Sequence, residues 1–228
     1  MNAEALEARV KKLEYQLRTV QDIQEIERLQ RIYGYYLEHW MAQDIIDLFS
    51  DGPDVGLEWP EGKYIGKEGV RRYFSTMESK DPEFMHQLMQ LSPVIDVAPD
   101  GKTAIGRWYS YGGVSLPRGG GVSQSLINGI YENEYVKEDG RWKFKKIRWH
   151  LNYVNRPGEG WVKPERIAAI KPGAPLSGPK PDIHDTRFEL QYPSGHIFPF
   201  HFKHPVTGKD SKEAERNATV KPLKVSFP

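Results

Sequence analysis

Two histidines set among aromatic and amide side chains are the residues of this 228-residue chain best suited to chemistry. His86 opens an apolar run, Met85 to Val97, and its ordinary pKa near neutrality would let it take or give a proton at physiological pH. The plainer reading is a histidine satisfied at a strand edge. His150 alternates with Arg148 and Asn152, so the three would share one strand face and converge on a substrate oxygen. Glu132 and Asn128 share a face of the preceding strand. Glu132 is a candidate acid if that face lines a cavity, whereas Glu134 would simply meet Lys or Arg across the sheet, a pair worth little. Tyr33, Tyr36 and Trp40 recur at helical spacing. Core packing accounts best for Trp40, and Tyr36 is the better placed to hydrogen-bond a substrate. Trp59 and Trp108 complete the aromatic residues expected to contact it, while His39 reads as solvent-exposed or at a pocket rim.

Other chemistries find less support. The chain has no cysteine, which removes thiol catalysis, disulfides and thiolate metal sites. His196, His201 and His204 lie close in sequence, yet no carboxylate stands at helical ligand spacing, so packing or a lid explains them better than zinc, and no metal site is expected. Gly119-Gly120-Gly121 lacks the Gly-Lys-Ser/Thr of a phosphate loop and reads as a loop over the pocket. No dinucleotide fingerprint or nucleophile elbow is present. A formal net charge of +1 gives no reason to expect nucleic acid or an acidic membrane as partner. The N-terminus, MNAEALEARVKKLEYQL, is too charged for a signal peptide or an apolar span, so a cytoplasmic protein is expected.

The elements that must position these residues are legible in outline. Leu126 to Val154 reads as two amphipathic strands joined at Asp139-Gly140, the strongest short hairpin signal. Strict alternation predicts Ile127, Gly129, Tyr131, Asn133 and Tyr135 on one face. In the second strand it predicts Trp142, Phe144, Lys146, Arg148, His150 and Asn152 together, opposite Lys145, Ile147, Trp149, Leu151 and Tyr153. Polar groups mixed with large apolar ones suit a sheet curving around a ligand cavity. Upstream, Thr103 to Gly112 would pair with Met85–Val97, and residues 112–125 would form a flexible excursion. Asp44 would cap a short helix, Val55 to Trp59 would be a strand, and a further helix would start at Gly66.

Leu6, Val10, Leu13, Leu17 and Val20 are spaced 4, 3, 4, 3, either a short coiled coil between subunits or one amphipathic helix lying on its own domain. The helical pattern runs on to Trp40. Residues 171–228 are rich in Pro, Gly, Lys and His with aromatic clusters, which predicts an extended arm packed on the domain or a neighbouring subunit.

His86-x₆-Pro-Val-Ile-Asp-Val-x-x-Asp-Gly-x-Thr-Ala-x-Gly-Arg-Trp, then Gly129-x-Tyr-x-x-Glu-Tyr-Val-x-Glu-Asp-Gly-Arg-Trp, resembles the SnoaL-like branch of the nuclear-transport-factor-2-like superfamily over roughly residues 20–155. The resemblance implies an α+β fold, a cone-shaped antiparallel sheet wrapped on helices around one apolar pocket, and assembly as homodimer or homotrimer. With it the chain divides into an N-terminal helix (1–19), a SnoaL-like domain (20–157) and a C-terminal arm (158–228).

The resemblance also implies acid–base catalysis without a cofactor, using a helix Tyr, an acid and a strand His. Tyr36 and His86 match the Tyr and His, while Met41 stands where the acid belongs. The expectation is a lyase for a hydrophobic aromatic small molecule, with Tyr36, His86 and His150 catalytic. One version of it would release formaldehyde from lignin-derived diaryl diols. A dehydratase, a ketosteroid-type isomerase and a non-catalytic binding domain are the alternatives, since this fold hosts all of them.

Overall fold

The computed structural model describes residues 2–76, 83–118, 121–158, 179–184 and 200–210. Three helices, α1 (Ala3–Glu38), α2 (Ala42–Asp47) and α3 (Gly66–Phe74), accompany strands β1 (Gly56–Trp59), β2 (Gly62–Ile65), β3 (Met85–Val97), β4 (Thr103–Arg118), β5 (Gly121–Glu138), β6 (Arg141–Asn155) and β7 (Ile183–His184). They form one sheet in the order β3-β4-β5-β6-β1-β2-β7, antiparallel except where β1 runs parallel to β6. This is the expected α+β class. Helix α2 starts after Met41, not at an Asp44 cap. Strands β4 and β5 run on through most of the expected 112–125 excursion, pairing as far as Arg118↔Gly121; Gly119 and Gly120 lie outside the described residues.

The hairpin turn is as expected. Asp139 and Gly140 have φ of 49° and 74°, the two positive values a type I′ turn needs. Gly112 answers a different demand: a Cβ there would lie 1.7 Å from the Gln87 carbonyl of β3, so only glycine lets the two strands approach.

One face of the sheet is covered by the helices. Trp108 of β4, Tyr131 and Tyr135 of β5 and Phe144 and Ile147 of β6 are buried there against Ile26, Tyr33 and Leu37 of α1. The alternation expected for β5 holds. That expected for β6 does not, because two bulges interrupt it. Pairing passes from Glu134↔Lys146 to Tyr135↔Phe144, and from Asn128↔Tyr153 to Gly129↔Leu151, leaving Lys145 and Asn152 as extra residues. Each extra residue shifts the phase by one. Trp142 and Phe144 therefore share the inner face with Ile147 and Trp149, while Lys146, Arg148, His150 and Asn152 go to the outer face.

Helix α1 has two halves. Asp22, Ile26, Leu29, Gln30, Tyr33 and Leu37 are buried in the domain, whereas the preceding turns stand clear of it. The join is fixed by the Asp22 carboxylate, which accepts from Lys137 Nζ (2.6 Å) and Trp142 Nε1 (2.9 Å) beside the hairpin turn. The described parts of the C-terminal arm pack on their own domain. Strand β7 extends the sheet from β2, Asp182 binds Arg72 at 2.7 Å, and Phe200 and His201 lie on the outer face. Among the described residues no helix is long and apolar enough to cross a membrane.

Candidate active site

At one end of the inner face aromatic rings pack in an unbroken chain. His86 lies edge-on to Trp40 at 5.3 Å between ring centroids, Trp40 contacts Tyr73 and Phe84, Tyr73 contacts Trp59, and Trp59 contacts Trp149. The elements explain this assembly. Trp40 follows the end of α1 and Tyr73 lies on α3, while Trp59, His86 and Trp149 come from β1, β3 and β6. The Trp40 indole is held by donating to the Phe74 carbonyl at 2.7 Å, which supports the packing role expected of it.

Two ring nitrogens here are buried without a hydrogen-bond partner, His86 Nδ1 and Trp59 Nε1. Leaving such a group unpaired costs about 1–3 kcal/mol, so each is a feature needing a reason. Burial drives the His86 pKa down to about 4, which keeps the imidazole neutral at physiological pH and able to donate and accept at once. A cleft of about 480 Å³, within the range of small-molecule sites, lies at the same end of β3, but His86 does not line it, and most of its walls, Met85, Gly113, Ser115 and Leu126 among them, are on the face of the sheet opposite His86. Val114 is the β4 partner of His86.

The other aromatic residues expected at the site, Tyr33, Trp108 and Tyr36, pack in or against the core. Tyr33 is fully buried among Phe74, Tyr131 and Phe144, and burial raises its pKa well above the ordinary value. Trp108 donates to the Tyr135 hydroxyl at 2.9 Å. Tyr36 is half-buried against the core, one helical turn before Trp40.

The remaining candidates lie on the outer face. Glu132 accepts from Arg107 at 2.9 Å and also meets His201 Nδ1 of the arm. Arg148 pairs with Glu134 at 2.5 Å and with Glu58 at 3.2 Å. Asn152 donates to Asn128, which donates to the Ser110 carbonyl. His150 lies amid this charge, its pKa lowered to about 4 mainly by burial. The β6 bulges thus separate His150, Arg148 and Asn152 from His86, correcting the expectation of one convergent set. Of the three tail histidines, His201 docks on Glu132, His204 accepts backbone N–H groups of its own turn, and His196 lies outside the described residues.

The model of the SnoaL-like domain matches residues 18–148. The chain belongs to the SnoaL-like domain family. Solved structures agree on the fold: LinA superimposes with a TM-score of 0.52 at 20% identity, covering 66% of this chain and 99% of that one. A nuclear-transport-factor-2-like protein of Salmonella enterica serovar Typhimurium gives 0.51 at 18%, covering 63% and 99%. A Novosphingobium aromaticivorans protein provisionally named a scytalone dehydratase gives 0.50 at 20%, covering 63% and 97%. In this SnoaL-like chain the position expected for the family's acid is Met41, which is 38% exposed just before α2 and carries no proton to exchange.

Sequence reasoning missed the polar centre of the SnoaL-like domain. Gln30 Oε1 accepts from Asn133 Nδ2 (2.9 Å) and Tyr135 OH (2.8 Å), and Gln30 Nε2 donates to Gln90 (2.9 Å). A glutamine on a charged helix reads as surface, and only its place between Ile26 and Tyr33 signalled otherwise. Tyr73 and Phe84 were missed as well, although Tyr73 shares a helical stripe with Val70 and Phe74.

Proposed function

We propose that this protein is a cofactor-independent lyase for a hydrophobic aromatic small molecule, acting by acid–base chemistry at the His86 end of the inner face. The observation that carries the reading is the pair of buried, unpartnered ring nitrogens, His86 Nδ1 and Trp59 Nε1, along one aromatic wall. Family membership supports it, because cofactor-free catalysis on small molecules is common among SnoaL-like proteins. An aromatic substrate would stack on Trp59 and Tyr73 and give a hydroxyl to the waiting nitrogens. Negative charge developing on that oxygen would raise the depressed pKa of His86, so proton transfer would be coupled to binding.

The substrate class we favour is a phenolic diaryl diol. Loss of its benzylic hydroxyl as water, driven by the para-phenol, leaves a quinone methide. His86 then takes the proton of the primary hydroxyl. The C–C bond breaks to release formaldehyde, and its electron pair restores the aromatic ring. Water, formaldehyde and an unsaturated phenol balance the diol.

Mass spectrometry of full-length protein incubated with phenolic diaryl diols and their phenol methyl ethers tests this. Formaldehyde and water lost together, from the free phenols only, is the expected result. Loss of water alone would reassign the protein as a dehydratase. Recovery of a bound, unchanged diol would make it a binding domain.

A further inference from the structure

Leu6, Val10, Leu13, Leu17 and Val20 form one stripe along the first half of α1, each between 44% and 59% exposed. No described part of the chain covers them. The stripe that packs on the domain begins at Asp22, whose bonds to Lys137 and Trp142 fix the direction in which the helix leaves the sheet. The alternative of an amphipathic helix lying on its own domain is therefore not what this half of α1 does.

We propose that this half of α1 pairs with the same segment of a second copy as a parallel, in-register, two-stranded coiled coil. The steps of 4, 3, 4, 3 place Val10 and Leu17 at heptad position a, and Leu6, Leu13 and Val20 at d. Position e then holds Glu7, Glu14 and Gln21, and position g holds Arg9 and Gln16. In a parallel pair each g residue faces the e residue five positions on in its partner. Arg9 meets Glu14, and symmetry repeats the pair on the other side. An antiparallel pair would bring e against e and set glutamates together. Charge thus selects both the partner and its direction. Val10 at a between Leu6 and Leu13 at d favours two strands, while Leu17 at a with Val20 at d reverses that pattern in the last turn, so the choice of two strands rests on the first heptad. The seam from Leu6 to Val20 is only about 22 Å long at 1.5 Å per residue, so association is reversible and depends on concentration.

The absence of cysteine makes the test direct. Leu13→Cys puts one thiol in the seam, and Ala8→Cys puts one on the opposite side of the same helix. On mild oxidation of full-length protein, Leu13→Cys is expected to cross-link to a dimer and Ala8→Cys is not. Adding Arg9→Glu to Leu13→Cys should weaken association roughly three- to tenfold, the scale of two lost surface pairs, and adding Glu14→Arg as well should restore it. Circular dichroism and the thermal midpoint check that each variant is folded. Equal cross-linking of the two single-cysteine variants, or none, would overturn the coiled coil; failure of the double charge reversal to restore pairing would overturn its parallel register.

Discussion

At the scale of single residues, the inner face separates side chains that hold the fold from side chains held in readiness. Trp40 is buried and Trp59 half-buried in one ring cluster, and both indole nitrogens are buried, but Trp40 Nε1 has the Phe74 carbonyl and Trp59 Nε1 has no hydrogen-bond partner. Trp59→Phe keeps a ring in place and removes a donor without a partner, so the thermal midpoint should hold or rise while KM for the substrate rises. A lower midpoint with unchanged KM would mean that the indole is needed for packing alone. His86→Ala should cost at least about two orders of magnitude in kcat, the scale of general acid–base catalysis; near-full turnover would remove His86 from the mechanism. The pH dependence of stability follows from the same burial. His86 and His150 titrate near 4 in the folded chain and near 6.5 when unfolded. Between those values the unfolded chain binds more protons, so stability is fully present above about pH 6.5 and declines as pH falls toward 4. Each histidine contributes at most about 1.4 kcal/mol per pH unit, less where solvent reaches the ring. Denaturant titrations across this window should show the slope, and His86→Phe should flatten it.

At the scale of elements, α1 is fastened to the sheet by a polar contact inside an apolar core. Gln30→Leu would leave Asn133 Nδ2 and the Tyr135 hydroxyl without their acceptor, and each orphaned group costs about 1–3 kcal/mol. A loss of roughly 2–5 kcal/mol in denaturant unfolding is expected, and a loss below about 1 kcal/mol would show that the network relaxes around the change. This contact also marks where the sequence stops being readable. The β5–β6 hairpin was legible because Asp139-Gly140 names its own turn and β5 alternates without interruption. The second strand was not, because the bulges at Lys145 and Asn152 fall on ordinary polar residues whose identity announces nothing. One inserted residue moved Arg148 and His150 to the other face, and with them half of the expected site. His86 escaped this because it precedes the irregularity of β3, where the register shifts between Leu91 and Val94 and Ser92 has a φ of 51°.

At the scale of the whole molecule, the two faces of the sheet divide the work. The inner face carries the aromatic cluster with the unpartnered His86 Nδ1 and Trp59 Nε1. The outer face carries paired charge, and Phe200 and His201 of the arm lie on it: His201 meets Glu132 through Nδ1, with its Nε2 buried and without a hydrogen bond, while Phe200 stacks over Arg107 at 4.6 Å. Such a cluster is costly to break on one side, because a half-removed pair leaves the other charge without compensation. Glu132→Ala would strip Arg107 and His201 of their shared carboxylate, so the thermal midpoint should fall clearly, with protease cleavage of the arm accelerating in parallel. Turnover at the His86 end should stay within about threefold, since the proposed chemistry is on the opposite face. Measuring midpoint, arm proteolysis and kcat on one preparation makes the outcome decisive. A hundredfold loss of kcat with an unchanged midpoint would move the chemistry to the outer face, with Glu132 and His201 as its acid–base pair and the arm as part of the catalyst.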